Sequence, residues 1–245
     1  MDTDGIGEPP AKKLKTSHSR SAGLFNAQCR RAKVFDSFFK STVFEFRVED
    51  EKFYVHQRLL ASYSKPLERL INVDMQEKRQ GYAVLNGINA ATFERSVSWL
   101  YTGSYVVPEP RLYTTKMNGK EEQHTGYSRV FKDHARLYVF ADEKDILGLK
   151  EKALQNLYDT KNKFRDDRSS RGRHISRFLL YAYRNTPKTC AKERDPLRTF
   201  AMELLKSYSS NICKRNSFLQ MLREAETDLI EDVLHVILHQ RPPKN

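Results

Sequence analysis

Chemistry in this sequence would have to start from its histidines, cysteines and carboxylates. His56 and His134 are the two histidines that could be drafted as a general base or a metal ligand. Neither has a serine, a cysteine or a carboxylate pair at a spacing that suggests a nucleophile with its base, although such partners can be distant in sequence. Cys29, Cys190 and Cys213 are isolated, with no CxxC spacing. An odd, scattered set speaks against a disulfide framework or a zinc site, and for a reducing, intracellular compartment. The glycines form neither the GxxxxGK[ST] nor the GxGxxG loop that cradles phosphate. The residues therefore predict no catalytic centre, no cofactor and no metal, and the chain is expected not to be an enzyme.

The net charge of +12 raises nucleic acid as a partner, so its location matters. Residues 1–33 hold seven Lys/Arg against three acids, and residues 161–173 hold six against two. Most of the excess thus sits in a tail and one expected loop. A dedicated nucleic-acid domain more often gathers its charge on one face, with aromatic platforms or a recognition helix. Direct nucleic-acid binding is not the expected role. In the tail, Lys12-Lys13-Leu14-Lys15 follows two prolines that keep the backbone extended, and Lys12, Lys13 and Lys15 form a candidate nuclear localisation signal. The opening MDTDGIGEPPAKK has no apolar core of the kind a secretory signal needs. No run approaches the length of a membrane span. Nucleus and cytoplasm are the expected locations. Arg168-Ser169-Ser170-Arg171 could act as a phosphorylated contact loop.

The elements that would position these groups follow from periodicity. Residues 1–22 lack large apolar side chains and are expected to be a disordered basic tail. Phe44, Phe46 and Val48 alternate on one face of a strand, Glu49 to Lys52 turn, and Phe53-Tyr54-Val55 return. His56 to Ser62 read as helix, and Ser64 caps a second helix with Pro66 in its first turn. A strand follows at Tyr82 to Leu85. Asn89 then caps a helix that Gly103 stops, and Ser104 to Val107 could add another strand. Residues 108–128 show no period and read as a long exposed loop. From Arg129 onward everything is helical. Asp145 reads as a cap, Asp195-Pro196 as cap plus first-turn proline, and Asp228 as the cap of the last helix.

This order, with its residues, resembles a BTB/POZ domain. Phe53-Tyr54-Val55-His56 with Leu60 and Ser64 is similar to the family's F-x-V-H-x-x-x-L-x-x-x-S stretch. Phe93 and Trp99-Leu100-Tyr101-Thr102-Gly103 with Tyr105 are similar to its F-x(5)-[FW]-LYTG-x-Y stretch. His134-Ala135-Arg136-Leu137-Tyr138 through Lys144, with Ile146, Gly148, Leu149 and Lys150, resemble the version found in filamentous fungi. Tyr183-x-x-Thr186-Pro187 and Asp195-x-Leu197-Arg198 resemble the C-terminal extension of those proteins. The resemblance runs from about residue 38 to 210.

It implies an α+β fold: a small mixed sheet flanked by helices, with an all-helical C-terminal extension. The expected organisation is a tail at 1–22, a BTB/POZ domain at 23–158 with a loop insertion at 108–128, and the extension at 159–245. It implies a protein-interaction scaffold in which His56 and His134 hydrogen-bond within the fold. It also implies a contact with a cullin scaffold of a ubiquitin ligase. Adaptors of that kind carry an apolar-x-Glu motif where this chain has Asp74-Met75-Gln76-Glu77, so Met75 and Glu77 are the candidate contacts. Thr42 stands where the family has an aspartate near its dimer contact, which weakens the expectation of a homodimer. The alternative is a nuclear, chromatin- or nucleic-acid-associated regulator using its basic tail. No substrate-reading domain of a recognised type accompanies these segments.

Overall fold

Alternation in β1 (Val43–Val48) buries Phe44, Phe46 and Val48 and turns Glu45 and Arg47 outward, as period two requires. β1 pairs antiparallel with β2 (Glu51–His56) and parallel with β3 (Tyr82–Val84), giving a mixed sheet of order β2-β1-β3. The computed structural model describes residues 38–72, 79–117, 120–163, 171–188 and 194–239. By its contacts the chain divides into two units, residues 1–41 and 42–245. In the first, the described residues form a turn in which the Ser41 backbone N–H and hydroxyl both donate to the Phe38 carbonyl. All the elements named below belong to the second.

The β1–β2 turn places Glu49 at φ +53, a region that non-glycine residues rarely adopt. Its carboxylate compensates by accepting the Ala90 N–H at 3.0 Å, on the first turn of α3 (Ala90–Thr102). After β2 come α1 (Gln57–Tyr63) and α2 (Lys65–Asn72). The Ser64 hydroxyl caps α2 by accepting from Leu67 N–H at 3.0 Å, and Asn89 caps α3 by accepting from Thr92 N–H at 2.9 Å. Gly103 ends α3 at φ +72, in the left-handed region a glycine enters without steric cost.

The helical part consists of α4 (Ser128–Glu143), α5 (Leu147–Lys163), α6 (Arg171–Arg184), α7 (Pro196–Ile212), α8 (Asn216–Glu224) and α9 (Thr227–Leu238). Helix α4 is the pivot. Phe140, toward its C-terminus, meets Phe93, which also meets Phe46 and Phe53 at 5.2 and 5.1 Å between ring centres. Phe131, one end away, meets Phe178 and Phe200. Two aromatic clusters are thus joined through one helix that is buried along most of its length, and edge-to-face contacts of this kind add to area burial.

Several expectations need correction. Residues 108–128 are not a structureless loop: β4 (Arg111–Met117) pairs antiparallel with β5 (Lys120–Gly126). The sequence signal was the Asn118-Gly119 pair joining Met117 to Lys120, a dipeptide that favours two-residue hairpins. Ser104 to Val107 form no strand, because the Thr102 hydroxyl accepts the Ser104 N–H and donates to the Ser104 carbonyl, and Tyr105 points into the core. Asp145 does not cap α5: it sits at φ +52 in the turn, one residue too early, and Leu149 N–H bonds to Ile146. Asp228 lies inside the first turn of α9, behind Glu226. Helix α8 was not foreseen, since Phe218 and Met221 alone mark its buried side.

Gly148 in the first turn of α5 has a packing reason. A Cβ there would lie 2.9 Å from Cη2 and Cζ2 of Trp99, well inside contact distance. Gly148→Ala gains up to about 1 kcal/mol of helix propensity, but overpacking against a rigid indole costs about 1–3 kcal/mol. The expected outcome is a lower melting temperature, restored when Trp99 is shortened to Leu in the same chain. A melting temperature unchanged or raised by Gly148→Ala alone would contradict this contact.

Candidate functional site

The two histidines nominated by the sequence are clasps. His134, on α4, is fully buried, and its Nδ1 lies 2.9 Å from the Tyr105 hydroxyl. Burial lowers its pKa to about 4, with the nearby Arg95 guanidinium acting in the same direction, so the ring is neutral at pH 7. Burial likewise pushes the Tyr105 phenol up to about 12. His56 Nδ1 lies 2.7 Å from the Tyr101 hydroxyl, which also accepts the His56 backbone N–H at 3.2 Å. A hydroxyl that accepts from the backbone can donate its own proton to Nδ1. The side-chain partner of each ring is thus a tyrosine hydroxyl. Among the described residues no group of three or more His, Cys, Asp or Glu is placed to hold a metal ion. Among them, too, no helix is long and apolar enough to cross a membrane. Cys213 is a free, half-buried thiol whose pKa burial raises, while Cys29 and Cys190 lie outside the described residues.

Other quoted residues work in the same internal way. The Ser64 hydroxyl donates to the Lys144 carbonyl at 2.5 Å, tying α2 to the end of α4. In the helical extension, Asp195 caps α7 through Leu197 N–H and also accepts from the Tyr138 hydroxyl. Arg198 is 3% exposed and donates to the Thr186 hydroxyl, the Thr186 and Tyr183 carbonyls and Asp228. Tyr183 and Arg194 both donate to Asp232.

On the outer face of the sheet, Glu45 accepts from Arg47 at 2.6 Å and from the Tyr54 hydroxyl at 3.0 Å. The Arg47 guanidinium lies 3.5 Å over the Tyr82 ring, and Val43, Tyr54 and Val84 are all exposed. Hydrogen bonding from Arg47 holds the Glu45 carboxyl below its ordinary range, so the cluster keeps its charges. Tyr and Arg on a rigid sheet are residue types that dominate protein interfaces. A polar cleft of about 490 Å³ opens beside this sheet, where Glu49, Asn86 and Asn89 face Arg136, Glu143 and Tyr181 of the helical part. Burial pushes the Tyr181 phenol up to about 12.

Met75 and Glu77, which fall between α2 and β3 in the sequence, lie outside the described residues. Lys12, Lys13, Lys15 and the serines of the 161–173 segment are likewise outside them. Thr42 is exposed, with its carbonyl accepting the Gln57 N–H at 3.0 Å. The sheet face and the cleft were missed at the level of sequence. The signal available was the outward set Glu45, Arg47 and Tyr54, legible from strand alternation.

One family model agrees with the residues quoted above. The family model described as BTB/POZ domain matches residues 32–117. Among solved structures, the BTB domain of human gigaxonin is similar, at 14% identity, covering 60% of this chain and 98% of that one, with a TM-score of 0.32. No curated protein matches the sequence.

Proposed function

We propose, on the premise that this chain carries a BTB/POZ domain matched at residues 32–117, that it is a nuclear or nucleocytoplasmic scaffold acting as a cullin adaptor. The family match carries the coarse part, since BTB/POZ domains are protein-interaction modules. The adaptor part is supported by the sequence Asp74-Met75-Gln76-Glu77 between α2 and β3. In this reading Met75 fills an apolar pocket of a cullin N-terminal domain, as a flexible thioether suits, and Glu77 fixes register through polar contacts.

Calorimetry of the purified protein with a cullin N-terminal domain from its own host tests this. Glu77→Ala is expected to weaken binding roughly tenfold or more, the range of a central interface residue. Folded wild-type protein that gives no heat of binding would sink the adaptor role. A salt titration separates the chromatin-associated alternative, because neutralised phosphates make affinity fall steeply with salt.

A further inference from the structure

Two adjoining cavities, of about 470 and 530 Å³, run along the outer side of α6 and share Arg177, Leu180 and Glu224. The first continues to Lys132 of α4 and Arg184, the second to Arg173 and to Met221 of α8. Their charged lining is basic except for Glu224. Arg184 gives only its Nη2 to Glu224, donating to its carbonyl at 3.2 Å, and its half-exposed guanidinium keeps its other N–H groups for a ligand. Lys132, Arg173 and Arg177 are exposed and have no ion-pair or hydrogen-bond partner among the described residues. Helices α4 and α8 begin in the groove walls, at Ser128 and Asn216, and neither has a side-chain cap. Their first N–H groups add positive potential.

Leu180 interrupts this charge. It stands three residues after Arg177 and four before Arg184, on the same stripe of α6, with Phe178 and Met221 lining the cavities beside it. At ~1.5 Å per residue, Arg177 to Arg184 spans about 10 Å of helix. An extended peptide covers about 13 Å in four steps. A cation–apolar–cation row of that length matches an acidic–x–apolar–x–acidic segment. A nucleic-acid backbone fits less well, because Glu224 sits where both cavities meet and the lining aromatics, Phe178 and Tyr181, are buried and half-buried rather than an exposed stacking platform.

We propose that the α4–α6–α8 groove of the helical extension is a docking site for an acidic, leucine-containing linear peptide of a partner protein. The site would let the extension itself capture a partner. This rests on the interaction-scaffold reading above, but not on the cullin contact, which is measured separately through Glu77.

The test is fluorescence anisotropy with the full chain at ~0.15 M salt. The probe is a labelled Glu-Asp-Gly-Leu-Gly-Asp-Glu peptide, beside the same peptide with alanine for leucine and a single-stranded oligonucleotide. Binding is expected, weakened about tenfold or more by Arg177→Glu or Arg173→Glu and about fivefold by the loss of leucine. Both substitutions are on exposed positions, and circular dichroism checks that each variant is folded. A triple Lys12, Lys13, Lys15→Ala variant should bind as wild type does. No binding overturns the proposal, as does binding indifferent to Arg177→Glu or to the leucine. Tighter Arg177-dependent binding of the oligonucleotide would assign the groove to nucleic acid instead. Peptide binding without cullin binding removes the adaptor reading alone, and the converse removes this one alone.

Discussion

Arg198→Ala is expected to lower stability by about 3 kcal/mol, the lower end for removing one member of a buried ion pair. The guanidinium is 3% exposed and joins three elements: its Nε and Nη2 hold the end of α6 through Thr186 and Tyr183, and its Nη1 holds α9 through Asp228 at 2.6 Å. Its Cζ also lies 4.4 Å from the centre of the Tyr183 ring. Alanine would leave two carbonyls and a carboxylate without their donors, and a cavity where the stem had packed. Burial alone would raise the Asp228 carboxyl, yet Arg198 outweighs it and holds the group below its ordinary range. Because Asp228 keeps some contact with water, the loss should not reach the top of the range. Arg198→Lys should recover little, since a lysine cannot serve three directions with one fork. Thermal unfolding at pH 7 checks this, with a fall of about 6–12 °C expected for a domain of this size. The double variant with Asp228→Asn should lose less than the sum of the two singles. A change below about 1 kcal/mol for Arg198→Ala would mean that the latch is not formed in solution.

How much of this was legible depended on distance along the chain. Ser64, Asn89, Gly103 and Asp195 were readable as caps because a cap is decided within four residues. The partners of His134, His56 and Gly148 were not, because Tyr105, Tyr101 and Trp99 approach them from 29 to 49 residues away. The motif residues that carried the resemblance turn out to meet one another, so they report the architecture and leave function elsewhere. The β4–β5 hairpin was hidden because Lys120–Gly126 has almost no apolar alternation to set against Arg111–Met117. The basic run at 161–173 was visible, but α6 carries basic residues beyond it, and only the packing of α6 against α8 shows Leu180 and Met221 among them.

Acid should destabilise this fold through His134 in a window that lies mostly above that of the carboxylates. In the native state the ring is enclosed, with its Nε2 lacking a partner among the described residues and a pKa lowered to about 4; in the unfolded chain it returns to 6.5. Above pH 6.5 the ring is neutral in both states and contributes no slope. Between 6.5 and 4 the unfolded state binds a proton that the native state refuses, so stability falls as pH falls, by about 1.4 kcal/mol per unit. Below 4 both states are charged and the slope ends. The whole effect is on the order of 3 kcal/mol. His134→Asn isolates it: the side-chain oxygen can still accept from Tyr105, but nothing titrates. The variant should be less stable at pH 7 because of the volume it loses, yet its stability should fall much less steeply than the wild type's between pH 6.5 and 4.5. Urea unfolding at the two pH values gives the difference directly, and titrations common to both proteins cancel. Parallel pH profiles for the two would mean that His134 is open to water or protonated in the native state, and the Tyr105 clasp would have to be redrawn.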